Sequence, residues 1–524
     1  VTAPAAPAAD PPSAPAAETA AGRPPTRRRR YLWLLAGGGL SLFAVHTDLD
    51  VALAAWLYPM FLLPFARTGR PVATMAWIWA VGVAGVVFWM WRADVTSPPL
   101  LAIAVALGTA QAVPFLLDRL IASRLATRSV LLSTLVFPVA KVATEFAQTS
   151  LSPIGSIIGV LGTTQHGTLP LVQVASVTGV YGVSFLVAWA AAVGARVLAD
   201  GRPRRAVLPS AAVCAGVLGC VLLAGGARLA LAPTAEDTVR TAAITLSEAG
   251  YEEKLSPAFE EYGSLEEIVG ADPEQVRRDF APINQELLDA TVREAEAGAE
   301  LVVWSESAGF ALEEHRDDLL DRVREVARDH GVHVEVGMSV YIDAAPYMRN
   351  QAVLITPEGE TAWTYDKAHP IPVLEPYDAG SGETPFHDAP FGRLATAICY
   401  DVDFPATLRQ AAAGGADIVL LPSNEWDGIK RMHMEKAVFR TVEGGFSLVR
   451  PVGRGISTVV DPHGRTLAAG DYFASGGASV VAEVPVARTA TVYGAVGDLF
   501  AWSCVAALAA AAALAAAPVG RRRR

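Results

Sequence analysis

Hydrophobic residues run through the first 230 positions in long blocks, broken by short arginine-bearing segments. From about residue 236 the pattern changes to short alternating runs. A block of about 20 mostly apolar residues is long enough to cross a bilayer as a helix. Seven such blocks precede residue 235, at 31–47, 50–66, 72–91, 98–118, 129–149, 170–194 and 206–231, and an eighth covers about 496–517. Arginine falls in alternate breaks: Arg27–Arg30, then Arg67 and Arg70, then Arg119, Arg124 and Arg128, then Arg196, Arg202, Arg204 and Arg205, then Arg521–Arg524. Short cytoplasmic loops are the ones enriched in Lys and Arg. The alternation therefore predicts that both termini are cytoplasmic and that the large segment 236–490 lies outside.

Within that segment, strands are predicted at 238–246, 300–305, 333–340, 350–356, 394–399, 417–421, 447–452, 456–461 and 479–484. Amphipathic helices are predicted at 284–298, 315–330, 404–413 and 432–444, with Asp401 or Asp403 available to cap the third. Asp461-Pro462-His463-Gly464 reads as a hairpin turn. Strands alternating with helices over some 250 residues argue for one layered α/β unit. The chain thus divides into a tail (1–30), a membrane domain of about seven helices (31–232), the α/β domain (236–490), and a last helix with a basic end (491–524).

Composition agrees with this division. The 524 residues are 52% hydrophobic and only 18% charged, too apolar for an ordinary soluble protein. Residues 1 to about 22, rich in Ala and Pro, hold too few bulky apolar side chains to bury a core and are expected to be disordered. The net charge of −11 hides an asymmetry: acidic residues crowd between about 236 and 490, while arginine clusters at the edges of the apolar blocks. The α/β segment shows no basic face with interleaved aromatics, so nucleic-acid binding is disfavoured. Histidines are scattered, which disfavours a metal centre; His369 and His433 read as hydrogen-bonded residues and Gly380-Ser381-Gly382 as a turn.

Of four cysteines, Cys214, Cys220 and Cys504 lie in apolar blocks, which leaves Cys399 alone in the α/β segment. An unpaired thiol outside the cytoplasm is either an inert core residue or a group kept free for chemistry. Two further residues at or just past strand ends favour chemistry: Glu306 in Val302-Val303-Trp304-Ser305-Glu306, and Lys367 in Tyr365-Asp366-Lys367. A thiol with pKa ~8.5 is mostly protonated at neutral pH, so it needs a carboxylate as general base. A cation then steadies the thiolate and the oxyanion of a tetrahedral adduct. Together the three residues describe an acyl-transfer site.

With these residues the α/β segment resembles the nitrilase (carbon-nitrogen hydrolase) superfamily and its Glu-Lys-Cys triad. From about 31 to 517 the chain is similar to the apolipoprotein N-acyltransferase family, the membrane branch of that superfamily. Ile398-Cys399-Tyr400, Ser423-Asn424-Glu425-Trp426, Arg440 with Glu443, Gly455-Ile456-Ser457, Ser152-Pro153-Ile154-Gly155, the Gln165 loop and Gly497-Asp498 carry the resemblance. It implies an αββα sandwich on the outer face of the bacterial cytoplasmic membrane and no cofactor. It also implies a monomer that takes an acyl chain from a phospholipid as a Cys399 thioester. The chain then passes to the N-terminal amine of a diacylglyceryl lipoprotein. Glu375, Tyr400 and Asp401 fall at supporting positions, and Trp304, Asn424 and Trp426 at the substrate rim.

Several positions depart from the family pattern. Asp401 stands for the usual glutamate, Ser305 for a proline, and Ile371-Pro372-Val373-Leu374-Glu375 lacks the Phe-Gly before its glutamate. The opening strand lacks the usual glutamine, and the tryptophan that follows it in the family has no equivalent. A membrane-tethered amidase, with water resolving the acyl-enzyme, is the alternative activity; a non-catalytic scaffold is the alternative class. Lys141 and Glu145, one helical turn apart in the fifth block, are either a functional intramembrane pair or a headgroup anchor.

Overall fold

The computed structural model describes residues 26–44, 49–156, 158–199, 204–232, 237–477, 479–486 and 488–518. The Ala/Pro-rich tail and Arg521–Arg524 lie outside these residues. The apolar blocks form helices Arg27–Ser41, Ala52–Ala66, Pro71–Arg92, Pro98–Leu125, Val130–Leu151, Val180–Ala199, Arg204–Ala230 and Leu499–Ala516. Six are long and apolar enough to cross a membrane, and the first two have 15 residues each.

Two expectations are corrected here. The first helix starts at Arg27, with the Thr26 hydroxyl accepting from Arg29 N–H at 3.4 Å, so Arg27–Arg30 belong to a helix and not to the tail. The block 170–194 is not one span. Short helices Leu169–Val172 and Ala175–Thr178 come first, and Gly179 at φ 66° turns the chain before Val180. A Cβ on Gly179 would stand 2.6 Å from the Tyr493 ring, so glycine is required there. Hydropathy registers only that the block is apolar and cannot show such a break.

The α/β segment is built from two sheets stacked face to face. One runs Val480–Pro485, Thr238–Ile244, Leu301–Trp304, His333–Tyr341, Met348–Ile355, Thr361–Asp366, with Gly309–Leu312 also paired to His333–Tyr341. The other runs Thr466–Asp471, Ile456–Val460, Ser447–Arg450, Ile418–Leu420, Gly392–Thr396, Phe386–Ala389. Successive strand residues face opposite ways, and the buried clusters follow suit. Leu301 and Val303 meet Ile418, Leu420 and Val449 between the sheets. Val302 and Trp304 instead pack with Phe280 and Leu287 of helix Pro273–Glu296 and Leu320 of Arg316–His330. Behind the second sheet, Val419 and Leu448 pack with Leu408 of Pro405–Ala413 and Ala437 of Lys430–Gly444. Helix, sheet, sheet and helix thus form the αββα sandwich.

The nine expected strands are present, except that the fifth stops at Thr396 and so does not carry Cys399. Strands Gly309–Leu312, Thr361–Asp366, Phe386–Ala389, Ser423–Asn424, Val452–Gly453 and Thr466–Asp471 were not expected, being short or polar at a sheet edge. The expected helix 284–298 begins earlier, at Pro273, where a first-turn proline is well accommodated. Neither Asp401 nor Asp403 caps Pro405–Ala413: its N-cap is Phe404, with no side-chain bond. Both carboxylates are engaged elsewhere.

The sandwich is locked onto the membrane helices. Phe439 and Val442 share a buried cluster with Phe146, Tyr181 and Val183. Glu443 accepts the Val180 N–H at 2.7 Å, so a residue of the sandwich caps a membrane helix, while its ion-pair partner Arg440 donates Nε–H to the Val402 carbonyl at 3.0 Å. Lys141 and Glu145 are buried and 3.2 Å apart; Lys141 donates to Gln111 and to the Gly159 carbonyl, and Glu145 accepts the Leu161 N–H. They brace the inter-helix loop from inside, which is not a headgroup anchor.

Candidate active site

After strand Gly392–Thr396 the chain turns at Cys399, whose φ of +44° is the left-handed region that L side chains disfavour. Such a conformation costs about 1–3 kcal/mol and persists only where surroundings enforce it. Here Cys399 N–H donates to the Pro422 carbonyl at 2.8 Å. Asp401 Oδ2 accepts Ile398 N–H at 2.9 Å and the Tyr365 hydroxyl at 2.8 Å, and Oδ1 accepts His369 N–H at 2.9 Å. Asp401 is therefore the clamp of this elbow, holding the turn that carries Cys399 and not the thiol itself. The shorter carboxylate suits the one-turn reach back to Ile398.

Glu306, Lys367 and Cys399, expected from three separate segments, converge. Lys367 Nζ lies 2.8 Å from Glu306 Oε1 and 2.7 Å from Glu375 Oε1. Glu306 Oε1 also accepts Asn350 Nδ2–H at 2.7 Å, and its Oε2 accepts the Asn424 N–H at 2.8 Å. The Cys399 thiol donates to the Asn424 carbonyl at 3.5 Å and lies within the electrostatic reach of the Glu306 carboxylate. One backbone unit, Asn424, thus touches both Glu306 and Cys399. Glu375 is paired with Lys367 and held in turn by the Ile371 N–H at 2.7 Å.

All three groups are buried. Burial and the Glu306 charge push the Cys399 thiol well above its usual range. Burial likewise raises Glu306, against the pull of Lys367. Lys367 is held well above 10.5: burial is the largest single influence and works downward, but Glu306, Cys399 and Glu375 together outweigh it. The lysine is thus cationic across the accessible pH range. Passing the thiol proton to Glu306 leaves the net charge of the pocket unchanged, so low polarity does not penalise the transfer as it would creation of a lone thiolate.

Two cavities meet at this point. One, of about 60 Å³, is almost wholly apolar; Tyr400 and His433 line it, as do Leu100, Ile103 and Leu107 of the membrane helix Pro98–Leu125. Those three leucine and isoleucine positions, at i, i+3 and i+7, form one helix face directed at empty space. The other cavity, of about 610 Å³, is the more polar of the two, with Glu306, Asn350, Glu375, Tyr377 and Asn424 in its lining. Val95, Ile371, Leu374 and Trp426 line both. Of the expected rim residues, Asn424 and Trp426 are at the cavities. Trp304 is not: it is fully buried, donates to Thr291 Oγ1 at 2.8 Å and belongs to the core under helix Pro273–Glu296. Its place on the outward face of its strand is the reason.

Tyr400 reaches the other way from the thiol, its hydroxyl donating to the Ile154 carbonyl at 2.9 Å. Ser156 N–H and Oγ bind the Asp403 carbonyl and carboxylate at 2.9 and 3.1 Å. The Ser152–Gly155 motif is therefore the loop by which the membrane helices grip the elbow. Asp403 is also paired with Lys436 at 2.6 Å. His433 lies between Glu425 (2.9 Å) and Asp403 (3.4 Å), and His369 stacks on Phe404. Sequence reading missed Asn350 and Tyr377; the one available signal was an Asn-Gln pair heading an otherwise apolar strand. Among the described residues no group of His, Cys, Asp and Glu is placed to hold a metal ion.

Residues 36–193 match the family model described as apolipoprotein N-acyltransferase N-terminal domain, and residues 268–493 match the model for carbon-nitrogen hydrolase. An apolipoprotein N-acyltransferase of Geobacter metallireducens is 28% identical over 383 residues, 68% of this chain and 69% of the relative. One of Bradyrhizobium diazoefficiens is 27% identical, covering 63% and 64%. The chain thus spans about two thirds of the length of these relatives. A deaminated glutathione amidase of Yersinia enterocolitica is 30% identical over 173 residues, 29% of this chain and 58% of the relative. Among solved structures, an amidase from Nesterenkonia sp. aligns with a TM-score of 0.37 at 23% identity, over 47% of this chain and 90% of that one.

Proposed function

The chain belongs to the apolipoprotein N-acyltransferase family, and from that premise we propose that it transfers a fatty acyl chain from a phospholipid, through a Cys399 thioester, to the N-terminal amine of diacylglyceryl-cysteine on a lipoprotein. The observation that carries this reading is the almost wholly apolar cavity lined by Tyr400, the residue after the nucleophile, and bounded by membrane helices. A small-amide hydrolase has no use for such a space; an acyl chain does.

In the first half-reaction Glu306 takes the thiol proton and the thiolate attacks the ester carbonyl. Lys367 and the Tyr400 N–H, which has no partner among the described residues, supply donors to the oxyanion. Collapse of the adduct expels the lysophospholipid alcohol, to which Glu306 returns the proton. In the second half-reaction the acceptor amine enters through the polar cavity, loses a proton to Glu306 and displaces the thiolate. Both substrates are lipid-anchored, so a site at bilayer level replaces a three-dimensional search by positioning. The protein is a multi-pass bacterial membrane protein. Our reading sets both termini inside, the sandwich on the outer face, and the working unit as a monomer.

The test is intact-mass analysis of protein reconstituted in phospholipid vesicles. A hydroxylamine-sensitive acyl adduct on Cys399, lost in Cys399→Ser and discharged onto an added diacylated lipopeptide, is expected. Free fatty acid with no acylated lipopeptide would instead support the amidase-like hydrolase.

A further inference from the structure

The polar cavity holds one hydrogen-bond donor that this scheme does not use. Asn350, 3% exposed, gives both Nδ2 hydrogens away, one to Glu306 Oε1 at 2.7 Å and one to the Tyr377 hydroxyl oxygen at 2.9 Å. That carboxylate oxygen also receives Lys367 Nζ and has no hydrogen to offer, so the nitrogen side of the amide must face it. Tyr377 therefore accepts from Asn350, and its own hydrogen finds no acceptor among the described residues. The side chain is 9% exposed, lines the polar cavity, and has Lys367 Nζ 6.0 Å from its ring centre. Burial, above all, raises the phenol pKa, so the group is a donor and never a base. A largely buried hydroxyl with an unspent hydrogen at the wall of a cavity is placed to donate to whatever enters that cavity.

Building on the acyl-transfer reading, we propose that Tyr377 is a catalytic donor, hydrogen-bonding the glycerol oxygen that leaves when the phospholipid ester is cleaved. The Cys399 Sγ–C bond forms at the ester carbonyl while Glu306 holds the thiol proton. As the C–O bond breaks, its electron pair passes to the glycerol oxygen and Glu306 delivers the proton there. Tyr377 keeps its own hydrogen throughout and steadies the alkoxide as charge develops. A glycerol alkoxide leaves poorly and needs such help; a nitrophenolate, already stable as an anion, does not.

Leaving-group dependence tests this. Single-turnover acylation of Cys399 is followed in Tyr377→Phe with a phospholipid and with the p-nitrophenyl ester of the same fatty acid. A hydrogen bond to a charged atom is worth a factor of about 10 to 100. The phospholipid rate should fall by that factor while the nitrophenyl ester rate falls much less. Equal losses with both donors, as misplacement of the triad would produce, overturn the proposal, as does an unchanged phospholipid rate. If Tyr377→Phe does not fold, 3-fluorotyrosine at 377 preserves shape and sharpens the donor, and an unchanged ratio of the two rates overturns it. Wild-type protein acylated by the nitrophenyl ester but never by phospholipid would overturn the acyl-transfer reading itself, and with it this one.

Discussion

Tyr400 donates its hydroxyl hydrogen to the carbonyl of Ile154 at 2.9 Å, joining the residue after the nucleophile to a loop between two membrane helices. In Tyr400→Phe that carbonyl loses its partner at a cost of about 1–3 kcal/mol. The melting temperature in detergent should fall accordingly, and an unaltered melting temperature would show that the bond contributes nothing.

Gly155 stands at φ +53°, and a Cβ there would lie 2.6 Å from the Asp403 carbonyl oxygen. Backbone cannot yield as a flexible side chain can, so Gly155→Ala should push the loop off the elbow. We expect destabilisation of more than about 1 kcal/mol together with slower acylation. Wild-type acylation kinetics in this variant would refute the gripping role of the loop.

Lys367 is the cation that pulls down the Glu306 pKa against burial. The base acts only when ionised, so activity rises as pH passes its pKa. Removing the cation in Lys367→Met raises that pKa further, and the acid limb of nitrophenyl ester acylation should move to higher pH. The maximal rate should fall as well, and a limb that stayed in place would exclude the coupling.

Glu335 lies between the sheets with no cation beside it, accepting from Trp363 Nε1 at 3.2 Å, and burial lifts its pKa to about 8. The folded protein keeps it protonated where the unfolded chain ionises it. Stability from this group is therefore full below pH ~4.5 and is lost as pH rises toward 8, by up to about 5 kcal/mol. Glu335→Gln should match wild type near pH 4 and exceed it near pH 8 in thermal unfolding; parallel curves would contradict this.

Ile103 faces the apolar cavity from the middle of the Leu100, Ile103, Leu107 stripe. Ile103→Trp should shorten the space and shift preference from long to short acyl donors, read as the ratio of thioester formation rates. A constant ratio would place the acyl chain elsewhere.

The layered α/β fold and the meeting of Glu306, Lys367 and Cys399 were legible because alternating apolar runs announce strands, and because chemistry-bearing residues stood at their ends. What stayed hidden was the direction of side chains. Trp304 lies two residues before the glutamate yet points into the helix layer. Asp401 follows the cysteine by two yet folds back onto Ile398. Asn350 and Tyr377 act through one amide whose orientation is set by a carboxylate 44 residues away in the chain. The break at Gly179 was hidden for another reason: the clash that forces it comes from Tyr493, across the whole sandwich.

The carboxylate of Glu443 on the Val180 N–H has a bearing on biogenesis. A membrane helix made early in translation waits, its first amide unanswered, for a side chain emerging some 260 residues later. The seam between the membrane helices and the sandwich is consequently closed only once both halves have been made.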